Sequence, residues 1–121
     1  MAPISVTLAR REPPTAVVAL VGEHDTYSSQ RLENELTVLL DAGQRIVVDL
    51  RDASFIDSTT LSVLLGARKR AESSSLDFAL VLPDGAYTQV HQILDLTRLA
   101  SAFAIFASVE DALVAGHSKA A

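Results

Sequence analysis

The segment of this chain best suited to chemistry is a run of four residues with side-chain oxygens, Asp57 to Thr60. An aspartate or serine before a helix caps it by accepting a hydrogen bond from a free backbone N–H, which contributes about 1 kcal/mol. A hydroxyl at a helix start also lies beside unpaired N–H groups and the positive end of the helix dipole, where a phosphate is accommodated. The run therefore has two interpretations, a helix cap alone or a site of phosphorylation.

A second polar cluster, Gly22-Glu23-His24-Asp25, follows the second predicted strand. The run of hydroxyls belongs to a loop, Ser54 to Leu61, between the third predicted strand and the next helix. In open α/β sheets, functional groups collect beyond the carboxyl ends of the strands. If the second and third strands are neighbours, both loops lie at the same end of the sheet.

The hydrophobic pattern predicts strands and helices that alternate along most of the chain. Two apolar runs separated by a charged, proline-containing segment predict a hairpin, and we expect Ile4, Val6 and Leu8 to face the core. Leucines at helical spacing predict a helix that ends before Gly43, a residue type common after helix C-termini. The predicted strands are 4–8, 16–21, 45–50, 76–82 and 102–107, and the predicted helices are 26–42, 58–72, 86–94 and 108–116.

This order, ββαβαβαβα, favours an α/β fold with right-handed crossovers. We predict a mostly parallel sheet of four to five strands, with an antiparallel hairpin at the N-terminus and about four helices. The strand 45–50 is rich in β-branched residues and barely alternates, which is typical of strands buried on both faces. At 121 residues the chain fits a single domain, and we expect order from about residue 4 to residue 116.

Composition and charge exclude several classes of function. The chain has no cysteine, which excludes disulfide scaffolds, Cys-ligated zinc and thiol catalysis. Its formal net charge of -5 argues against nucleic acid as a partner, because phosphate backbones bind basic patches. No apolar run approaches the roughly 20 residues that span a membrane, and the first residues lack the pattern of a signal peptide. We therefore expect a cytoplasmic protein with no cofactor and no membrane partner.

The other candidate side chains are scattered along the sequence. His24, His91 and His117 are too dispersed for a metal site or a catalytic triad, and we expect them at the surface. Phe55 has two interpretations, packing in the core or forming a contact surface with Ile56. The remaining aromatic residues mostly fall at positions that we assign to the core: Tyr27, Phe78, Tyr87, Phe103 and Phe106.

The sequence resembles the anti-sigma factor antagonists, which are single STAS domains. The resemblance covers the chain from Ile4 to Gly116 in the order of its elements. It is sharpest at Val48-Asp49-Leu50 and at Phe55-Ile56-Asp57-Ser58-Thr59-Thr60-Leu61. It is weaker at Gly22-Glu23-His24-Asp25, which is similar to the Gly-Glu-x-Asp turn of the family.

The resemblance implies a binding protein that is switched by phosphorylation and is not an enzyme. In this family the serine directly after the aspartate is the phosphoacceptor, which corresponds to Ser58, and Thr59 is the second choice because it offers a neighbouring hydroxyl. The kinase is the anti-sigma factor itself, an ATP-binding serine/threonine kinase of the GHKL type. The unphosphorylated antagonist binds this kinase and frees the sigma factor, phosphorylation ends the binding, and a phosphatase resets the switch.

The residues expected to contact the partner surround the phosphoacceptor, and one of them departs from the family. Thr60 stands where the family usually has glycine, and a β-branched residue there is expected to crowd the surface that a kinase approaches. The departure favours an alternative, a STAS scaffold or a subunit of a larger regulatory or transport assembly that is never phosphorylated. The expected contact residues are Gly22, Glu23, Asp25, Phe55, Ile56, Asp57, Thr59, Thr60 and Leu61.

Two other functions are less well supported. A phosphoaspartate receiver domain is the nearest competitor by fold, because Asp49 ends a central strand. A receiver also needs an acidic pair after its first strand and a lysine near the end of its last strand, and neither Lys69 nor Lys119 occupies such a place. Hydrolysis at Ser58 would need small flanking residues, as in a nucleophile elbow, and this serine lies between an aspartate and a threonine.

Overall fold

A computed structural model describes residues 3–120 of the chain, and the side chains of residues 3–115. The described residues form strands, four α-helices and one short 3-10 helix, Ala100–Ala102. The strands are β1 (Ile4–Arg11), β2 (Pro14–Leu20), β3 (Gly22–His24), β4 (Arg45–Asp49), β5 (Ala53–Ile56), β6 (Phe78–Val81) and β7 (Ala104–Phe106). The helices are α1 (Thr26–Asp41), α2 (Ser58–Ser73), α3 (Gln89–Leu96) and α4 (Val109–Ala120).

The main sheet has five strands in the order β1-β2-β4-β6-β7. β1 and β2 form an antiparallel hairpin, and β2, β4, β6 and β7 are mutually parallel. This arrangement confirms the predicted mostly parallel sheet with an N-terminal hairpin and four helices. The last helix continues to Ala120, beyond its predicted end at Gly116, and Ala121 lies outside the described residues.

A second, two-stranded sheet was not predicted. β3 and β5 lie in the segments that the sequence indicated to be loops, and they pair in parallel, with Glu23 opposite Phe55 and His24 opposite Ile56. With three and four residues, these strands are too short to show an alternating pattern. Their pairing joins the two candidate loops by backbone hydrogen bonds. The two loops are therefore closer to each other than the sequence predicts, since it places them only at the same end of one sheet.

The core lies mainly between the sheet and the helices α1, α2 and α3. The predicted inward face of α1 is confirmed, since Leu32, Leu36, Leu39 and Leu40 are buried. The other face of the sheet packs against α4, where a smaller cluster contains Val47, Ala79, Val81 and Ala112.

Two expectations about apolar side chains are wrong. Val6 is 38% exposed and Leu8 is 67% exposed, because both belong to an edge strand and only Ile4 at its start is covered by the core. Tyr27 and Tyr87 are 88% and 67% exposed, although we assigned both to the core. Phe78 and Phe103 are buried as expected, with their ring centroids 6.3 Å apart.

Gly43 ends α1 in the geometry that its position predicts. The backbone φ of Gly43 is +78°. The N–H of Gly43 donates to the carbonyl of Leu40 at 2.9 Å, and the N–H of Gln44 donates to the carbonyl of Leu39 at 3.0 Å. These two bonds form a Schellman motif, whose left-handed residue favours glycine.

Replacing Gly66 with alanine is expected to raise the free energy of unfolding by about 0.5 to 1 kcal/mol. Gly66 lies exposed inside α2, and a Cβ added there would meet no atom within 4 Å. Alanine restricts the unfolded chain without strain in the helix. Urea denaturation measures the change.

Gly43→Ala is the matched control for Gly66→Ala. A Cβ at Gly43 also meets no atom within 4 Å, but its positive φ strains an L-residue, so this variant is expected to lose about 1 kcal/mol. Equal effects of the two substitutions would contradict the explanation by backbone conformation.

Candidate functional site

The β3–β5 sheet places the starts of α1 and α2 side by side. Asp25 caps α1 by accepting a hydrogen bond from the backbone N–H of Tyr27 at 2.9 Å. The hydroxyls of Thr26 and Thr59, in the first turns of the two helices, lie 3.5 Å apart. The two polar segments found in the sequence therefore form one site at the ends of the short strands.

Asp57 caps α2 and organises its first turn. Its Oδ1 accepts hydrogen bonds from the backbone N–H of Thr60 at 2.9 Å and from the hydroxyl of Thr59 at 2.6 Å. Burial would raise the pKa of Asp57, but these hydrogen bonds outweigh it and hold the pKa below its ordinary value. The cap is therefore a carboxylate at neutral pH, and the helix start carries its negative charge.

Ser58 is the first residue of α2, and its side chain is exposed. Within the part of the chain whose side chains are described, its hydroxyl has no hydrogen-bond partner. The hydroxyl of Thr59, by contrast, donates to Asp57. The cap is thus made by Asp57, and the Ser58 hydroxyl takes no part in it.

Thr60 is fully buried, which corrects the expectation that it crowds the surface. Its hydroxyl donates to the backbone carbonyl of His24 at 3.2 Å, and the N–H of Asp57 donates to the same carbonyl at 3.2 Å. Thr60 therefore fastens the start of α2 to the end of β3 from inside the protein.

Other expected contact residues divide between the surface and the core. Ile56 and Leu61 are buried, so their expected place on a contact surface is corrected as well. Phe55 is 38% exposed, which supports the surface interpretation over core packing. Glu23 and Asp25 are exposed, whereas Gly22 is half-buried.

Comparison with known proteins gives the family of this fold. The sequence pattern of the STAS domain matches residues 7–112. The chain belongs to the STAS domain family. Among curated relatives, the anti-sigma-B factor antagonist of Bacillus subtilis is 29% identical over 93 residues, which are 77% of this chain and 83% of that protein.

Solved structures share the fold of this STAS domain. An anti-sigma factor antagonist from Mycobacterium paratuberculosis superimposes with a TM-score of 0.78 at 22% identity, over 97% of this chain and 95% of that one. The Bacillus cell fate determinant SpoIIAA in its phosphorylated form superimposes with a TM-score of 0.70 at 19% identity, over 92% and 96% of the two chains. The resemblance seen in the sequence is therefore confirmed for the family and the fold.

His24 is fully buried in this STAS domain, so its predicted place at the surface is wrong. Its Nε2 lies 3.1 Å from the carbonyl of Val21 and its Nδ1 lies 3.1 Å from the hydroxyl of Ser28. Because a carbonyl only accepts, Nε2 carries a proton and a neutral ring accepts from Ser28. His91 is half-buried, and the side chain of His117 lies outside the described residues.

The stability of this STAS domain is expected to fall as the pH drops below about 6.5. Burial lowers the pKa of His24 from 6.5, partly offset by the Val21 carbonyl and nearby Asp25, while Arg31 lowers it further. The unfolded chain then binds more protons than the native one, and the free energy of unfolding decreases by at most about 1.4 kcal/mol per pH unit. Urea denaturation between about pH 5 and pH 8 measures this slope.

His24→Gln is expected to flatten this pH dependence even though it lowers stability overall. The control is His91→Gln, which replaces a half-buried histidine of α3 and is expected to retain the pH dependence of the wild type. If the free energy of unfolding depended on pH in the same way for the wild type and for His24→Gln, the pH dependence could not be assigned to His24.

Sequence patterns did not indicate a role for Gln89 near the site. Its side-chain amide accepts from the N–H of Ile56 at 2.9 Å and donates to the carbonyl of Ile56 at 2.9 Å. The two residues are 33 positions apart, so no local signal relates them. Only the tertiary packing of α3 beside β5 brings them together.

Asp49, the residue that suggested a receiver domain, is engaged by Arg51. The guanidinium donates to both carboxylate oxygens, at 3.0 and 2.9 Å. Burial would raise the pKa of Asp49, but the bonds from Arg51 hold it below its ordinary value. The Asp49 carboxylate is therefore paired with a cation and is not free.

None of the helices in the described part of the chain is long and apolar enough to cross a membrane.

Proposed function

We propose that this STAS domain is an anti-sigma factor antagonist controlled by phosphorylation of Ser58. Unphosphorylated, it binds an anti-sigma factor serine/threonine kinase of the GHKL type, and the bound kinase releases its sigma factor. Phosphorylation ends this binding, and a phosphatase restores it. The observation that carries the proposal is the exposed, unpartnered Ser58 hydroxyl at the start of a helix that another residue already caps.

Ser58 is a better phosphoacceptor than Thr59 because of their hydrogen bonds. The hydroxyl of Thr59 donates a hydrogen bond to Oδ1 of Asp57, with the two oxygens 2.6 Å apart. The same Thr59 oxygen lies 3.5 Å from the hydroxyl oxygen of Thr26. Phosphorylation of Thr59 would break the bond to the cap, whereas Ser58 has no such bond to lose. This difference supports Ser58 over the second choice.

The reaction is a transfer of the γ-phosphoryl group of ATP. The Ser58 oxygen forms a bond to the γ-phosphorus, and the bond from that phosphorus to the β,γ-bridging oxygen breaks, so ADP leaves. The hydroxyl proton passes to a base on the kinase. This chain contributes an exposed hydroxyl on the first residue of α2, and the phosphatase reverses the modification with water.

Charge explains how the phosphate would end binding. It adds about -1.5 to -2 charges at neutral pH. The site already contains the carboxylates of Asp57, Asp25 and Glu23, on a chain of net charge -5. A partner surface that fits the unmodified site would then face crowded negative charge. Because Ser58 is exposed, the phosphate needs no change in the core.

The burial of Thr60 removes the main argument for an unphosphorylated scaffold. That alternative depended on a β-branched side chain at the surface where the family usually has glycine. The Thr60 side chain instead points to the carbonyl of His24, so it leaves the approach to Ser58 open.

The proposal is tested by recovering the partner and mapping the modification. Wild-type protein is used to capture binding proteins from its native cells, and the captured kinase is incubated with ATP and the antagonist. Mass spectrometry is expected to place one phosphate on Ser58. Absence of any kinase-fold partner, or phosphate on a residue outside this helix start, would contradict the proposal.

A further inference from the structure

We propose that Gln89 is a positioning residue for phosphorylation: its side-chain amide closes the outer edge of β5 at Ile56 and so holds the segment that presents the Ser58 hydroxyl. This proposal rests on the proposed function. To the proposed function it adds a role for a residue of α3 that is remote in sequence and contacts neither ATP nor the reacting oxygen.

The C-terminal end of β5 is hydrogen-bonded on both of its edges. On one edge, the N–H of Asp57 donates to the carbonyl of His24 in β3. On the other edge, the N–H and carbonyl of Ile56 both bond to the amide of Gln89, each at 2.9 Å. Gln89 therefore occupies the place that a third strand would take in the β3–β5 sheet.

The β3–β5 sheet needs the hydrogen bonds of Gln89 for its stability. A two-stranded sheet is marginally stable without further support, and β5 has only four residues. The Ile56 side chain is fully buried, so its backbone lies where unpaired polar groups are costly. A carboxamide offers one donor and one acceptor side by side, which matches a backbone N–H and carbonyl.

The position of Ile56 determines the position of the Ser58 backbone, because the two residues are only two positions apart. Ile56 is followed directly by the cap Asp57 and then by Ser58, with no loop between β5 and α2. Gln89 is itself fixed, because it begins α3, whose cap Thr88 forms a capping box with His91. A loosened Ile56 would therefore displace the cap and the hydroxyl together. Displacements of about 1 Å at a reacting group cost up to about 100-fold in rate.

The experiment uses two substitutions with matched controls on the same helix. Gln89→Glu keeps the acceptor for the Ile56 N–H but places a second acceptor against its carbonyl. Gln89→Met keeps a similar side-chain volume and removes both hydrogen bonds. Gln92 lies exposed on α3, and Gln92→Glu and Gln92→Met therefore repeat the same changes away from β5.

Phosphate transfer to Ser58 is measured with the kinase that phosphorylates the wild type, at a temperature where circular dichroism shows every variant folded. Both Gln89 variants are expected to lose about tenfold or more in kcat/KM, mainly in kcat, and the Gln92 variants to stay within about twofold. Hydrogen exchange of the Asp57 and Thr60 amides is expected to accelerate only in the Gln89 variants.

The outcomes separate this proposal from the function on which it rests. Folded Gln89 variants that are phosphorylated at the wild-type rate would overturn the role of Gln89 and leave the proposed function standing. A wild-type chain that takes up no phosphate would overturn both. A loss confined to global stability, with normal kcat/KM below the melting temperature, would show that Gln89 is structural only and would also overturn the proposal.

Discussion

Ser58→Glu is expected to weaken binding of the kinase partner by about 100-fold or more, since like charges juxtaposed in an interface cost several kcal/mol. The added carboxylate lies at the exposed start of α2, directly after the cap Asp57, in a site whose β3 segment and α1 cap also carry the exposed carboxylates of Glu23 and Asp25. It approximates part of the charge of a phosphate without changing a buried group. Isothermal titration calorimetry with the captured kinase measures the dissociation constant of both proteins.

Two variants serve as controls for this effect. Ser62→Glu adds the same charge one turn further along α2, at another exposed serine, and is expected to weaken binding far less. Ser58→Ala is expected to bind like the wild type and to take up no phosphate. Normal binding by Ser58→Glu, or phosphate uptake at this helix start by Ser58→Ala, would exclude Ser58 as the switch.

Thr60→Gly, which introduces the residue usual in the family, is expected to lower the free energy of unfolding by about 2 to 3 kcal/mol. The substitution removes the hydrogen bond from Thr60 to the His24 carbonyl and a fully buried methyl group. It also places glycine in the first turn of a helix. Urea denaturation at neutral pH measures the change.

Two further variants divide this loss into its parts. Thr60→Val keeps the volume and removes the hydroxyl, so it isolates the hydrogen bond, at about 1 kcal/mol. Thr60→Ser keeps the hydroxyl and removes the methyl group, at about 1 kcal/mol. If Thr60→Gly were as stable as the wild type, the bond between α2 and β3 would not support the site.

The long elements could be predicted from the sequence because their patterns extend over several turns. The leucines of α1 recur at helical spacing from Leu32 to Leu40, and the glycine after the helix specifies its end. The two short strands have no such pattern, since three or four residues are compatible with a loop. Their existence depends on the pairing of distant segments, which only the folded chain provides.

The spacing of apolar residues in α2 is compatible with a buried Thr60. Thr60, Leu64, Ala67 and Ala71 are all buried and follow one helical face. The polar character of Thr60 and its place among capping residues favoured a surface position instead. Hydrogen-bonded threonine is compatible with a buried helix face when a carbonyl lies opposite, and here that carbonyl belongs to His24.

His24 and Gln89 could not have been predicted in the same way. The burial of a histidine depends on acceptors and donors for both ring nitrogens. Here they are supplied by Val21, which lies between β2 and β3, and by Ser28 of α1. The contact of Gln89 with Ile56 spans 33 residues. The sequence therefore indicated Ser58 as the candidate hydroxyl, whereas the buried and long-range hydrogen bonds around its helix start became visible only in the fold.

The direction of the strands has a practical consequence. The hairpin turn after β1 lies at the opposite end of the sheet from Ser58, because β2 runs from that turn towards the short strands. Seven residues of β2 extend over about 20 Å. A fluorophore or an immobilising tether attached at the exposed Glu12 therefore stands well away from the start of α2 and leaves the proposed phosphorylation site accessible to a binding partner.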